Sequence, residues 1–288
     1  MLKSCLKIAT VLMLLAGTSA CDQKTEQVNV LRIGILPDQA PEELRRRYKP
    51  LFEHISAAVG LPYKLVMPSD YGDMLSRFKA GQIELAYFGG LTYLLAAKTA
   101  KAQPLVMREA DSRFVSHFVV RADAPQTRLE DFRGKKLVFG SKLSTSGHLM
   151  PRFHLQRINI KADEFFSSVI YSGAHDKTVS MVVEGKADIG AANGLIVEEM
   201  MADRRLGADQ LRILWTTPHY PDYVWAIQNS IPEKVRDKLQ DAFLQLSIFD
   251  KKQAEILSRI GAKTFIPARP ADFRELTRQA TLLGLMND

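Results

Sequence analysis

The chain has 288 residues, of which 46% are hydrophobic and 25% are charged, and its formal net charge is +7. This composition is typical of a globular protein with one large or two medium domains, and it excludes a largely disordered chain. Apart from the arginines at 45–47, the basic residues are scattered. The sequence therefore lacks the dense basic stripe of nucleic-acid-binding proteins, and we expect no nucleic-acid partner.

The first twenty residues have the features of a signal peptide. Two lysines precede a short apolar run over 8–16, and small residues follow over 17–20. This is the order of a basic region, an apolar region and a cleavage site, and the run is too short to span a bilayer as a helix. We predict a signal peptide over 1–20, a polar tether over 21–29 and a periplasmic location.

Cys21 stands at the predicted cleavage site. Cys5 would leave with the signal peptide, so Cys21 would have no disulfide partner, and a single cysteine in an exported protein needs an explanation. The run 15–21 resembles the lipobox of bacterial lipoproteins, in which the cysteine is acylated, although Thr18 stands where leucine is usual. The neighbouring small residues also suit ordinary signal peptidase. The resemblance implies a lipid anchor on Cys21, and Asp22 fits retention at the inner membrane.

After the tether, the apolar residues alternate between strand-like runs and helical spacing. The pattern predicts strands near 30–36, 63–67, 85–88, 105–108, 114–121, 136–140, 169–171, 188–192, 211–215 and 223–228. It predicts helices near 42–59, 71–80, 91–99, 147–157, 177–184, 195–204, 232–246, 251–260 and 271–283. Two rounds of alternation favour an α/β fold with two similar lobes, each a mostly parallel sheet flanked by helices.

In open α/β sheets, ligands bind where strands end and helices begin. The most informative of these turns is 141–147. Ser144, Thr145 and Ser146 place three hydroxyls beside the first amides of a helix, which have no intrahelical partner. Such groups bind oxyanions, and Gly147 lets the main chain approach closely. An ordinary serine or threonine N-cap is the alternative interpretation.

Other turns carry weaker signals of the same kind. His175 can donate to an anion, whereas Asp176 beside it can simply cap the next helix. In the turn after Phe88, Gly89 opens the chain and Thr92 can donate, although the glycines also suit a tight connection. Tyr71 begins a helix. The convergence of several turns at one type of sheet edge favours a binding site there.

Catalytic interpretations have less support. The sequence contains no G-x-S-x-G turn, no phosphate-binding P-loop and no paired metal-ligating motif. His148 and His154 are six residues apart and do not share a helix face. We predict a non-enzymatic protein without cofactor or metal. A secreted hydrolase using one of these serines with His175 stays an alternative.

Four segments resemble the phosphonate- and phosphite-type periplasmic binding proteins of ABC importers, and the resemblance extends over about 31–265. The markers are 87–93, 144–151, 172–176 and 185–191, of which Ser-Thr-Ser-Gly…Pro together with Gly-x-His-Asp is fairly specific. The family implies a type II-like, two-lobed protein with two crossing hinge strands, near 116–120 and 223–226. Lobe 1 would comprise 30–116 and 226–288, and lobe 2 would comprise 117–225.

The resemblance also implies roles for residues. The hydroxyls and amides of 144–147 would hold the oxyanion, with His175 and Tyr71 as further donors. In aminoalkylphosphonate binders, acids at the positions of Asp176 and Asp222 hold an ammonium group, but the loop around Asp222 departs from the pattern. The ligand-binding set expected from the turns and the family is Tyr71, Phe88, Gly89, Thr92, Ser144, Thr145, Ser146, Gly147, His175, Asp176 and Asp222.

The family implies capture of a tetrahedral oxyanion, a phosphonate, phosphite or phosphate ester, for a permease in the inner membrane, by a monomer whose lobes close on the ligand. A subgroup with a similar Ser-Gly-Ala-His-Asp run is labelled as selenate binders, so selenate or sulfate is an alternative ligand. The two carboxylates favour ligands that carry an O–H or N–H group. A ligand-sensing module of a signalling system is a further alternative.

Overall fold

The structure is a computed structural model that describes residues 28–202 and 210–286. The predicted signal peptide over 1–20, Cys21 and most of the predicted tether lie outside the described residues. Within the described ranges, no helix combines the length and the apolar character that a membrane span requires.

The first sheet has six strands in the order β11-β4-β10-β3-β1-β2. Its strands are β1 (Leu31–Ile35), β2 (Tyr63–Val66), β3 (Leu85–Phe88), β4 (Gln103–Arg108), β10 (Val224–Ile227) and β11 (Phe265–Pro267). The helices packed around it are α1 (Pro41–Val59), α2 (Tyr71–Lys79), α3 (Gly90–Ala100), α8 (Glu233–Leu244), α9 (Lys251–Arg259) and α10 (Arg274–Leu282). The predicted apolar stripe of α1 is its buried face, where Tyr48 and Phe52 pack against Trp225 of β10.

The second sheet has five strands in the order β7-β6-β8-β5-β9. Its strands are β5 (Ser116–Arg121), β6 (Lys136–Phe139), β7 (Ser168–Tyr171), β8 (Ile189–Asn193) and β9 (Leu211–Thr216). Its helices are α4 (Met150–Arg157), α5 (Ala162–Phe165), α6 (His175–Val183) and α7 (Gly194–Ala202). Separate apolar clusters cover its two faces, so this sheet is buried on both sides.

The expected α/β architecture with two helix-flanked sheets is confirmed, but the sheets are mixed rather than mostly parallel. Among the described strands, β1 pairs in parallel with β2 and β3, and β6 with β7 and β8. The pairs that involve β10, β5 and β11 are antiparallel. The first strand after each passage between the sheets, β5 or β10, is antiparallel to both of its neighbours. The spacing of apolar residues predicts a strand but not its direction in the sheet.

The chain passes between the sheets twice, over 109–115 and 217–223. These two crossing segments pair with each other at an antiparallel bridge between Phe114 and Tyr220. The main-chain amide of each residue donates to the carbonyl of the other, at 2.8 and 3.0 Å. The strands expected as crossings, near 116–120 and 223–226, instead each belong to one sheet. Their hydrogen-bonded pairing starts at Ser116 and at Val224, directly after the crossing segments.

Candidate functional site

The hydroxyl turn (144–147) follows β6 and leads into α4 through one π-helical turn, Thr145–Leu149. The Ser144 Oγ accepts a hydrogen bond from the Gly147 amide at 2.9 Å, so the N-cap interpretation of this serine is correct. The same turn also reaches the other sheet, because the Thr145 Oγ1 accepts from the Leu91 amide at 2.9 Å. A capping serine keeps its own hydrogen for a further partner.

Gly147 and His175 come from two predicted turns and lie against each other. A Cβ at position 147 would stand 2.9 Å from the His175 Cε1 and 3.0 Å from the Ser144 Oγ. Only glycine fits between these groups. Gly147 therefore allows a close approach, as expected, and the two segments that approach each other are the turns after β6 and after β7. The hydroxyl turn and His175 are therefore in direct contact.

His175 is fully buried and held in one tautomer. Its Nδ1 accepts from the Asn193 amide at 3.2 Å, which leaves the hydrogen on Nε2. Its main-chain amide donates to the Asp38 carbonyl at 2.9 Å, across the two sheets. Burial lowers the pKa of His175 to about 3, so the ring is neutral, and its single hydrogen, on Nε2, faces the Tyr223 hydroxyl at 3.4 Å.

Asp222 lies on the second crossing segment and is buried beside the hydroxyl turn. Its Oδ1 accepts from the Gly90 amide, at the start of α3, at 2.8 Å. Burial raises the pKa of Asp222 to about 7, although the Gly90 amide and the nearby hydroxyls of Thr145 and Ser146 oppose the shift. This carboxyl can therefore gain or lose a proton near neutral pH.

Three buried polar atoms of predicted site residues make no hydrogen bond of full geometry among the described residues: the Tyr71 hydroxyl, which lies near Ser144, and the Ser146 Oγ and the Asp222 Oδ2, whose residues lie near each other. Their residues are 2%, 1% and 1% exposed. Burial chiefly raises the pKa of Tyr71, and the charge of Asp222 adds to the shift, so the two groups lie in one region. Buried polar groups in proteins are nearly always paired, so the atoms of this unpartnered set have the capacity to pair with a polar ligand.

Phe88, Gly89 and Thr92 contribute in other ways. The Phe88 ring packs on Phe78, with centroids 5.1 Å apart, and the Thr92 hydroxyl donates to the Gly89 carbonyl at 2.8 Å. A Cβ at Gly89 would lie 3.4 Å from the Asp222 Oδ1, which is ordinary contact. These residues form the turn next to Asp222. The Thr92 hydroxyl hydrogen is used within that turn, in the bond to the Gly89 carbonyl.

Asp176 has partners for both carboxylate oxygens. Its Oδ2 accepts from the Ala40 amide at 3.0 Å and its Oδ1 from the Lys177 amide at 2.8 Å. Ala40 precedes α1 and Asp176 lies in the first turn of α6, so this contact joins the two sheets' helices. Asp176 therefore links α6 of the second sheet to the start of α1 of the first sheet.

Sequence reasoning missed three buried residues next to this site: Asp38, Asn193 and Tyr223. The Tyr223 hydroxyl donates to the Asp38 Oδ2 at 2.8 Å and accepts from the Asn193 Nδ2 at 3.2 Å. Burial raises the pKa of Asp38 to about 6, against the bond from Tyr223 and the charges of two arginines. Asp38 follows β1 and precedes α1, so the strand-to-helix rule itself provided a signal for it.

A further pair joins the two halves away from these groups. The Arg47 guanidinium, on α1, donates to both oxygens of Glu199, on α7, at 2.6 and 3.0 Å. Arg47 also donates to the Arg259 carbonyl at 2.9 Å. A two-pronged bond of this kind fixes orientation as well as distance.

The sequence profile of the periplasmic phosphonate substrate-binding proteins of ABC transporters matches residues 33–273. The chain belongs to this family. A phosphite-binding ABC transporter protein, PhnD1 of Prochlorococcus marinus, is 30% identical over 259 residues, which is 86% of this chain and 87% of the relative. The periplasmic phosphonates-binding protein of Escherichia coli is 23% identical over 83% of this chain and 72% of its own length.

Solved structures agree with the family. The structure of PhnD1 from Prochlorococcus marinus in complex with methylphosphonate superposes with a TM-score of 0.85, at 27% identity, over 90% of this chain and 99% of that chain. The resemblance stated from the sequence is confirmed. This chain is thus the periplasmic substrate-binding component of an ABC transporter of the phosphonate class, which is a class of binding proteins and not of enzymes.

Proposed function

We propose that this member of the family captures a small phosphorus oxyanion that shares one proton with Asp222, as phosphite or a phosphonate can. The observation that carries the proposal is the unpartnered set, whose three atoms come from α2, the hydroxyl turn and a crossing segment. The names of the relatives support the ligand class, since PhnD1 is described with phosphite and with methylphosphonate.

The anion seat consists of Tyr71, Ser144, Thr145, Ser146 and Asp222. The hydroxyls of Tyr71 and Ser146 would donate to two oxygens of the ligand. The first amides of the π-helical turn, which by position lack an intrahelical partner, would donate as well. Because His175 is neutral and Asp222 is half-protonated near pH 7, the seat selects by hydrogen bonds rather than by a strong positive charge.

One shared proton explains how phosphorus oxyanions would be preferred over sulfate and selenate. Phosphate monoesters lose their second proton at a pH of about 6, so phosphorus oxyanions of this kind can exchange a proton near neutrality. Such a ligand can give its O–H to the Asp222 carboxylate, or take a hydrogen from the carboxyl. Sulfate and selenate carry no proton there, so they depend wholly on protonated Asp222.

Calorimetry against phosphite, methylphosphonate, phosphate, sulfate and selenate at pH 5 to 9 tests this. Phosphite affinity should pass through a maximum near pH 7, because a proton must leave the pair in acid and enter it in alkali. In Asp222→Asn, whose amide donates at every pH, the loss above pH 7 should disappear. A strong selenate response with none for any phosphorus compound contradicts the ligand assignment.

The proposal includes closure of two lobes, one around each sheet, with the crossing segments as the hinge. Three contacts across the cleft support a closed form: Leu91 to Thr145, Ala40 to Asp176, and Arg47 to Glu199. Closing over the ligand removes water and strengthens the hydrogen bonds to the anion. The closed protein would then present the ligand to the permease as a monomer, which light scattering of the purified protein checks.

The proposal also includes the absence of catalysis and a lipid on Cys21. In the described residues, neither Ser144 nor Ser146 hydrogen-bonds to His175, whose Nδ1 is engaged by Asn193. A serine hydrolase needs a base in contact with its nucleophile. Release of Cys21→Ser from the membrane fraction would support the anchor, and unchanged partitioning would contradict it.

A further inference from the structure

A second group of buried polar residues borders the anion seat, and its hydrogen bonds are complete. The Tyr223 hydroxyl donates to Asp38 at 2.8 Å, and it accepts from the Asn193 Nδ2 at 3.2 Å and from the His175 Nε2 at 3.4 Å. A phenol has one hydrogen and can accept two bonds, so this hydroxyl has nothing left to offer a ligand.

The Tyr223 ring is fixed as firmly as its hydroxyl. It stacks on Tyr87, with centroids 5.2 Å apart and an angle of 26°, and contacts Phe114 at 5.5 Å. Its residue is 2% exposed. The network joins the turn after β1, the end of β8 and the second crossing segment, so turning the ring would disturb both sheets.

This ring stands beside the seat. His175 touches both regions, because its Cε1 faces Gly147 and its Nε2 faces the Tyr223 hydroxyl. Burial, followed by the charges of Asp38, Tyr71 and Asp222, raises the pKa of the Tyr223 phenol, which places the ring among these groups.

The space behind the ring is small. A cavity of about 20 Å³, lined by Asp38, Arg47, Arg108 and Asn193 among others, lies between the two sheets there. Such a volume holds about one water molecule. The Tyr87 hydroxyl, buried without a partner among the described residues, also lines this cavity and suits a water. A substituent longer than a methyl group has no room in it.

We propose that Asp38, Asn193 and Tyr223 form an end wall that restricts the ligand to a phosphorus oxyanion whose substituent is hydrogen or a methyl group. The inference rests on the proposed function and adds the size limit to it. A longer chain would have to displace the ring and leave buried partners of its hydroxyl unpaired.

The test is a titration series with phosphite and with methyl-, ethyl-, propyl- and 2-aminoethylphosphonate, by calorimetry on the purified protein. We expect phosphite and methylphosphonate to bind within about 10-fold of each other, and propylphosphonate to bind at least ~100-fold more weakly than methylphosphonate. In Asn193→Ala and Tyr223→Ala, the methyl-to-propyl ratio should shrink by about 10-fold, because each change opens space beside the seat. Thermal unfolding identifies which of the two variants are folded, and one folded variant is enough for the comparison of ratios.

Glu199→Gln is the matched control, because it weakens closure but keeps the volume of a side chain that lines the same small cavity. It should lower the affinity for every member of the series by one factor and leave the ratio unchanged. Propylphosphonate binding by the unaltered protein as tightly as methylphosphonate overturns the wall and leaves the proposed function intact. An unchanged ratio in a folded wall variant overturns it too. Failure of every phosphorus compound to bind overturns the proposed function itself.

Discussion

The anion seat and the end wall lie side by side and are almost equally buried, but their polar atoms differ. In the seat, the Tyr71 hydroxyl, the Ser146 Oγ and the Asp222 Oδ2 lack partners among the described residues. In the wall, the Tyr223 hydroxyl makes all the hydrogen bonds it can. Burial alone therefore does not distinguish a binding surface from a structural one.

The difference lies in what each region needs from a guest. An unpaired buried polar group costs about 1–3 kcal/mol, so the seat is stabilised when a ligand supplies the missing partners. The wall would lose bonds if a ligand entered it. Under the two proposals, the same site would attract an anion at one end and resist a longer substituent at the other.

The largest effect should follow from removing the donors of the seat. Tyr71→Phe with Ser146→Ala deletes two hydrogen bonds to a charged ligand, each worth about 1.5–3 kcal/mol, so phosphite affinity should fall ~100- to 10,000-fold. Tyr63→Phe with Ser258→Ala removes the same atoms from β2 and α9, outside the crossing segments, and should change little. Calorimetry measures both. Equal phosphite affinities of the two double variants would contradict the assignment of Tyr71 and Ser146 to the seat.

A somewhat smaller loss is expected from crowding the contact between the hydroxyl turn and His175. A Cβ at position 147 would lie 2.9 Å from His175, whereas one at Gly89 would lie no closer than 3.4 Å to any neighbour. Gly147→Ala should therefore weaken binding by ~10- to 100-fold, as overpacking displaces the seat. Gly89→Ala should stay near the unaltered value. The reverse order in calorimetry would show that the described approach of the two turns is wrong.

Weakening the pair between Arg47 and Glu199 should give a moderate and uniform loss. Glu199→Gln keeps the shape but removes the charge, and we expect about 3- to 10-fold weaker binding, expressed as faster dissociation. Stopped-flow dissociation rates check this. A change in the preference among ligands, rather than in the rate alone, would mean that this pair belongs to the site.

The smallest effect concerns stability without ligand. The pKa of Asp222 is raised to about 7, so the folded protein binds this proton more tightly than the unfolded chain. Its contribution is favourable in acid and is lost as the pH rises from about 4 through 7. Asp222→Asn should therefore match the unaltered protein below about pH 4 and melt at least about 2–4 °C above it at pH 8, for ~1 kcal/mol or more. Thermal scans that show no pH-dependent difference would place this carboxyl in water.

Local patterns predicted the elements, and they singled out the turns from which the proposed seat is built. The stripe of α1 and the strand-to-helix turns depend on short-range spacing, which the sequence displays directly. Three features depend on distant residues and were not predicted. The direction of β10 follows from its neighbours β3 and β4, and the partners of Tyr223 come from positions 38 and 193. The role given to Asp176 depended on where its oxygens point, which only the fold determines.

Asp222 stands two residues after the bridge between the crossing segments, and its amide donates to the Asp111 carbonyl on the other segment at 2.9 Å. A group on the axis of a rotation is displaced least by it. An arriving ion would thus meet this carboxyl before the halves come together. Ions that cannot share its proton would dissociate from the open form, before the two lobes close.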